Sequence, residues 1–239
     1  GIISASGEGS FDDTTSTFIL EHDYSENTNV YFKVAEGFKA GGFNAESSNP
    51  FAASTPYAPE TIESTELGLK GRYLDNRMML NIAYFDNEHE DMQISYFNAD
   101  AAAASEVINQ SASISGLEVE SMTMLNDSTV LTLNFSTLDA ETTGNKRAQD
   151  GFLVNNIPYS PEKTLYASLE KDFGSYRVRL DHTRVDEHAS FPYNSQDFRT
   201  ELTYIDTNSK TDLLVLTEPM ENLQLNFNYN QSVLQRNLF

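Results

Sequence analysis

The chain contains no cysteine, which removes two structural solutions at once, a disulfide framework and a thiolate metal site. Basic residues are scarce. Fifteen Lys and Arg stand against 36 Asp and Glu, a formal net charge of -21. No basic face is available for phosphate, so nucleic acid is excluded as a partner. The charge fits long, wet, acidic loops or a saline habitat. No stretch approaches the roughly 18 consecutive apolar residues of a membrane-spanning helix, although a barrel strand needs only about ten alternating residues. There is no nucleophile elbow, phosphate loop or dinucleotide fingerprint, and the basic turn Thr143–Arg147 lacks phosphate-loop spacing. Neither a catalytic residue nor a cofactor is expected. The chain begins at Gly1 without a signal peptide and stops at Phe239. Both ends read as cuts in a longer protein.

What is present is β-structure. Hydrophobic content is 39%, but 12 Tyr and 15 Phe argue against disorder. Apolar residues recur at period two. Leu131, Leu133 and Phe135 oppose Thr132, Asn134 and Ser136; Tyr176, Val178 and Leu180 oppose Arg177, Arg179 and Asp181; Leu225, Phe227 and Tyr229 oppose Asn228 and Asn230. Very short polar turns (Asp75–Arg77, Asn126–Ser128, Asp172–Ser175, Pro219–Asn222) alternate with long connections near 39–60, 96–111, 139–160 and 186–200. That asymmetry belongs to a membrane barrel with short turns at one rim and long loops at the other. A soluble sandwich has no need of it. The expectation is an all-β chain, an antiparallel up-and-down meander of about ten strands forming part of a transmembrane β-barrel. In the run from Leu80 to Ile94 the apolar parity continues into Asp86, Glu88 and Glu90. Its first half should cross the membrane and the remainder should project above it, with a bulge as one way of resetting the face.

The stretch Gly37–Asn44 ends one strand at Gly-Phe-Lys-Ala-Gly-Gly-Phe-Asn, and Tyr57-Ala58-Pro59-Glu60 opens the next, which carries Glu66-Leu67-Gly68-Leu69-Lys70. Downstream come Ser115–Glu120, Asn155–Pro161 and Arg236–Phe239. In this order and at these spacings the chain resembles the barrel domain of TonB-dependent outer-membrane receptors. The resemblance runs over roughly residues 17–239 and implies residues 1–239 of a partial barrel, with the N-terminal plug, the early strands and the last strand absent. It further implies a transport receptor of the bacterial outer membrane for a scarce ligand, most often a ferric siderophore. Its partners would be outer-membrane lipid and TonB, the latter acting through the absent plug. A porin-like diffusion channel and a soluble or cell-surface β-sandwich binding module are the alternatives.

Candidate ligand-contacting residues are the aromatics at loop bases: Phe43, Tyr57, Tyr96, Phe97, Phe191 and Tyr193. An interfacial aromatic girdle is the competing role for them. His182 and His188, with Asp181, Asp186 and Glu187, match no zinc spacing, and Asn87–Asp91 lacks calcium-loop spacing. No metal site is expected. Glu118 and Glu120 share a face and read as ordinary carboxylates of a wet wall. The prolines and glycines of 39–60 predict an irregular loop on the outer side.

Overall fold

A computed structural model describes residues 6–47, 49–98, 104–144, 153–192, 204–220 and 223–235. In chain order the elements are β1 (Thr17–Ser25), β2 (Thr28–Lys39), β3 (Gly42–Phe43), α1 (Pro50–Ser54), β4 (Pro56–Tyr57), β5 (Glu60–Tyr73), β6 (Met78–Glu90), β7 (Gln93–Asn98) and β8 (Ala104–Asn109). Then follow β9 (Ala112–Asn126), β10 (Thr129–Thr142), β11 (Lys163–Asp172), β12 (Tyr176–Val185), β13 (His188–Ala189), β14 (Tyr204–Ile205), β15 (Thr207–Met220) and β16 (Leu223–Gln235).

Ten of these strands form one sheet in the order β1-β2-β5-β6-β9-β10-β11-β12-β15-β16, every neighbour antiparallel. The six remaining short strands pair only among themselves, as β3–β4, β7–β8 and β13–β14. The sheet is thus the expected meander, without crossovers. The turn after β5 is tight because Leu74, Asp75 and Asn76 all take left-handed backbone, with φ of 56, 57 and 64°. The turn after β11 uses Gly174 at φ 83°.

Cross-strand register sorts the side chains into two faces. One row reads Leu131, Leu169, Leu180, Leu213, Tyr229; another reads Phe135, Val119, Ile82, Leu69, Val30. All ten residues share a face, and its large apolar groups are open: Leu67 is 59% exposed and Phe227 62%. Nothing among the described residues packs on it as a second layer. The two stacked sheets of a sandwich would have buried those leucines, so that alternative fails. The opposite face is polar and internally paired. Tyr31 donates to Glu66 at 2.5 Å, Arg179 Nε to Asp181 Oδ2 at 2.9 Å, and Lys210 sits 2.8 Å from Asp212.

The apolar belt climbs across the sheet. On β1 it is Phe18 and Leu20, level with Asp139 and Thr137 of β10; on β16 it is Phe227 and Tyr229, level with Thr129 and Leu131. The drift is about one residue per strand. With a rise of about 3.3 Å per residue and about 4.8 Å between strands, it corresponds to a tilt of about 35°, the value of closed barrels. Above the belt, on the same face, Glu36, Glu63 and Glu88 are direct cross-strand partners. Like charges in such a row repel, which suits a border standing in water. β6 reaches this border with no register shift against either neighbour. The strand is reset not by a bulge but by a break at Asp91, whose φ is 51°, after which β7 leaves the sheet.

Candidate functional site

The packed core of this chain is not on the sheet. It lies in the layer that the long connections build over one rim. Ile94 and Tyr96 of β7 pack with Val154, at 5%, 4% and 0% exposure, with Met92 and Ile108 beside them. The carboxyl of Glu106 on β8 is fully buried there; it accepts the Tyr96 hydroxyl at 2.6 Å, and the Ser47 hydroxyl donates to its other oxygen. A buried carboxyl is costly unless such partners surround it, so Glu106 binds the 40–59 connection to the 91–111 connection.

Side-chain amides complete that joint by acting as strand backbone. Asn44 accepts from the Val107 N–H at 2.8 Å and donates to the Val107 carbonyl at 3.2 Å. Asn109 accepts from the Ala58 N–H at 2.7 Å and donates to the carbonyls of Ala58 and Asp91 at 2.9 and 2.7 Å. Gln93 donates to the carbonyls of Ala40 and Ala58 at 2.8 and 3.2 Å, and its N–H reaches Glu60 at 3.0 Å. His89 lies 3.1 Å from the other Glu60 oxygen.

The 40–59 connection is therefore ordered, contrary to the irregular loop expected. It contains the β3–β4 pair and α1, which is capped by Asn49 accepting from the Phe51 N–H at 3.0 Å. Its glycines serve close approach. Gly41 and Gly42 have no positive φ; a Cβ on Gly42 would overlap the Tyr57 ring, and one on Gly41 would sit 2.5 Å from the Tyr57 carbonyl.

The structure splits the aromatic candidates. Phe43 and Tyr57 sit together in the β3–β4 pair, Phe43 against Gly7 and Gly9 of the N-terminal segment and Tyr57 over Gly42. Tyr96 and Phe191 lie elsewhere, lining a cavity of about 470 Å³ with Met92, Pro158, Tyr159 and Pro192. None of the described side chains that line that cavity is charged. The Phe97 side chain and Tyr193 lie outside the described residues, as does the Arg236–Phe239 motif.

Tyr159 was not foreseen as a site residue. It is 69% exposed and holds φ 60°, a backbone state that costs a bulky residue about 1–2 kcal/mol. The only sequence signal was its position inside the Asn155–Pro161 motif. Ile157 also lines a larger cavity of about 670 Å³, which lies against the belt-bearing face of the sheet over Tyr84, Leu117 and Thr137. Among the described residues its charged lining is Asp139, Glu141, Glu162 and Glu187 with Lys163. His188 also lines it, with its ring nitrogen 2.9 Å from the Asp186 carbonyl, whereas His182 points to Thr211 at 3.0 Å. Among the described residues no group of three or more His, Cys, Asp or Glu is arranged to hold a metal.

A single tilted meander, apolar and open on one face, polar on the other and carrying an organised layer at one rim, is the wall of a transmembrane β-barrel. Residues 4–230 match the family described as TonB dependent receptor-like, beta-barrel. The chain belongs to the TonB-dependent receptors, a family of transport receptors. Solved structures share the fold. The ferric yersiniabactin uptake receptor from Yersinia pestis is 18% identical with a TM-score of 0.68, covering 89% of this chain and 31% of its own. The copper transporter OprC is 13% identical with a TM-score of 0.66, covering 90% and 32%. The ferric enterobactin receptor from Pseudomonas aeruginosa is 18% identical with a TM-score of 0.61, covering 90% and 34%. This chain thus spans about a third of the length of these relatives.

Proposed function

We propose that the chain forms part of the wall and of the outer loop layer of an outer-membrane receptor. That receptor takes up a scarce ligand, a ferric siderophore, with energy delivered by TonB. One observation carries the reading: order is concentrated in a side-chain-stapled layer at a single rim, where a wall that only let solutes diffuse would need no such construction. Two of the similar structures are receptors for ferric yersiniabactin and ferric enterobactin, which supports iron chelates as the cargo.

In this scheme the rest of the receptor supplies the plug, the early strands and the last strand, and TonB acts on the plug. The apolar belt holds the wall in the lipid of a bacterial outer membrane. The loop layer, with its aromatic groups, captures the chelate. The paired polar face (Tyr31–Glu66, Arg179–Asp181, Lys210–Asp212) gives the passing ligand a wet surface whose charges are already satisfied.

The test uses the full receptor expressed in a bacterium stripped of its own siderophore receptors. Uptake of radiolabelled iron from ferric siderophores should appear with the receptor and vanish when TonB is deleted. Uptake that persists without TonB would indicate a diffusion channel instead.

A further inference from the structure

We propose that the cavity of about 670 Å³ on the belt-bearing face of the sheet is a binding site for the uncharged sugar head of a membrane glycolipid. The site is separate from cargo uptake. It lies on the lipid side of the wall, whereas cargo would pass on the polar side.

Position selects a lipid as the occupant. The floor of the cavity is the cross-strand row Tyr84, Leu117, Thr137. One row toward the short turns, on the same face, stand Ile82, Val119 and Phe135, which belong to the apolar belt. One row the other way stand Asp86, Ser115 and Asp139, so the cavity straddles the level at which hydrocarbon gives way to water. An amphiphile whose chains lie along the belt reaches the cavity with its head and never leaves the membrane surface. The volume lies in the range of small-molecule sites, and Tyr84, 50% exposed, gives the head an aromatic side to rest on.

The walls select a sugar. Asp139 and Glu141 alternate along β10, both exposed and both on the outward face, so the strand fixes the distance between them. Glu162, just before β11, and Glu187, just after β12, line the cavity as well. Among the described residues none of these four carboxylates has a hydrogen-bond donor or a cation as partner. They are not arranged to hold a metal either. An unpaired carboxylate accepts two hydroxyls at once, and such charge-assisted bonds are about twice as strong as neutral ones. Neighbouring hydroxyls on a sugar ring are donors of that kind. The same carboxylates, with Lys163 as the one cation among the described lining residues, repel a phosphate head. The head that fits is therefore rich in hydroxyls and carries no negative charge.

The experiment is native mass spectrometry of the full receptor, released from a detergent that has no sugar head. Three lipids with identical acyl chains are titrated in: a glucosyl diacylglycerol, the bare diacylglycerol and a phosphatidylglycerol. The glucosyl lipid should bind about tenfold tighter than either of the others. A variant combining Asp139→Ala with Glu141→Ala should bring the glucosyl-to-bare affinity ratio close to one. Both side chains are exposed, so the variant should keep the thermal midpoint of the parent receptor in the same detergent. Asp139→Asn with Glu141→Gln, which removes the charge and keeps the shape, should raise the binding of phosphatidylglycerol. A glucosyl preference that survives the double alanine substitution overturns the proposal, as does a phosphatidylglycerol bound as tightly as the glucosyl lipid. Methyl glucoside at millimolar concentration should not displace the glucosyl lipid; if it does, the site takes soluble sugar and the assignment to a lipid falls. The binding is read without cargo, so its failure leaves the uptake reading standing, and loss of ferric siderophore uptake would leave this proposal standing.

Discussion

Replacing Glu106 by leucine should loosen the loop layer without touching the barrel. The leucine removes both carboxyl oxygens from a site with no solvent exposure, leaving the hydroxyls of Tyr96 and Ser47 without their acceptor. A buried hydroxyl left unsatisfied costs about 1–3 kcal/mol. Ser47 is only partly enclosed and regains some solvation, so a total of about 3 kcal/mol is expected. The loss falls on the layer alone, because strand pairing between β2 and β5 ends at Lys39–Glu60 and that between β6 and β9 at His89–Ala112. Amide hydrogen exchange on the full receptor reads this directly. Residues 42–47, 49–58, 93–98 and 104–109 should lose about two orders of magnitude of protection together, while β9 and β10 keep theirs. Glu106→Gln, which retains one acceptor, should lose about a tenth as much protection. If 93–109 loosens while 42–58 stays protected, the carboxyl does not join the two connections. If β9 and β10 exchange faster as well, the layer and the wall are one cooperative unit, and the separation drawn between them is wrong.

Two further outcomes follow from the wall. Leu180→Arg places a cation at the middle of the apolar belt and should cost about 2–4 kcal/mol in refolding into lipid, whereas Asn134→Arg on the polar face, beside Glu120, should cost little; equal costs would mean that the two faces are assigned wrongly. Gly68→Ala should destabilise by about 1–2 kcal/mol, because the added carbon overlaps the Tyr31 ring and displaces its bond to Glu66. In a Tyr31→Ala background the same change should be neutral or slightly stabilising, and a cost that persists there would show that Tyr31 is not the obstacle.

The wall was legible because its physics is local and periodic. Leucines two apart, short turns such as Asn126–Ser128 and the parity of Leu80 with Glu88 each report on a few neighbouring residues, and together they gave the strand number, the faces and the rim carrying the loops. The layer was not legible for the opposite reason. Ser47 meets Glu106 across 59 residues and Asn44 meets Val107 across 63, and no periodicity records such pairs. A glutamate in an acidic chain gives no sign that it will be buried. The glycines at 41 and 42 counted toward an irregular loop but serve to admit Tyr57 at close range. Phe191 was picked out as an aromatic at a loop base, while Tyr159, which lines the same cavity, sat in a motif that carried only the family resemblance.

The climbing belt also decides how such a chain can vary in length. Side chains alternate between lipid and lumen, so losing one residue inside a strand turns every group beyond it to the wrong side. Losing two preserves the sides and slides the strand by about 6–7 Å, a shift of about 5 Å along the membrane normal at this tilt. The wall is therefore quantised: its strands lengthen and shorten in pairs of residues or not at all. The connections obey no such rule beyond their staples. Only what lies between Ser47 and Pro56, or between Asn98 and Ala104, can grow or shrink by any number, because the staples at Asn44, Ser47, Gln93, Glu106 and Asn109 all stand outside those two stretches. Variation in the loop layer is thereby separated, residue by residue, from variation in the wall that the membrane belt encloses.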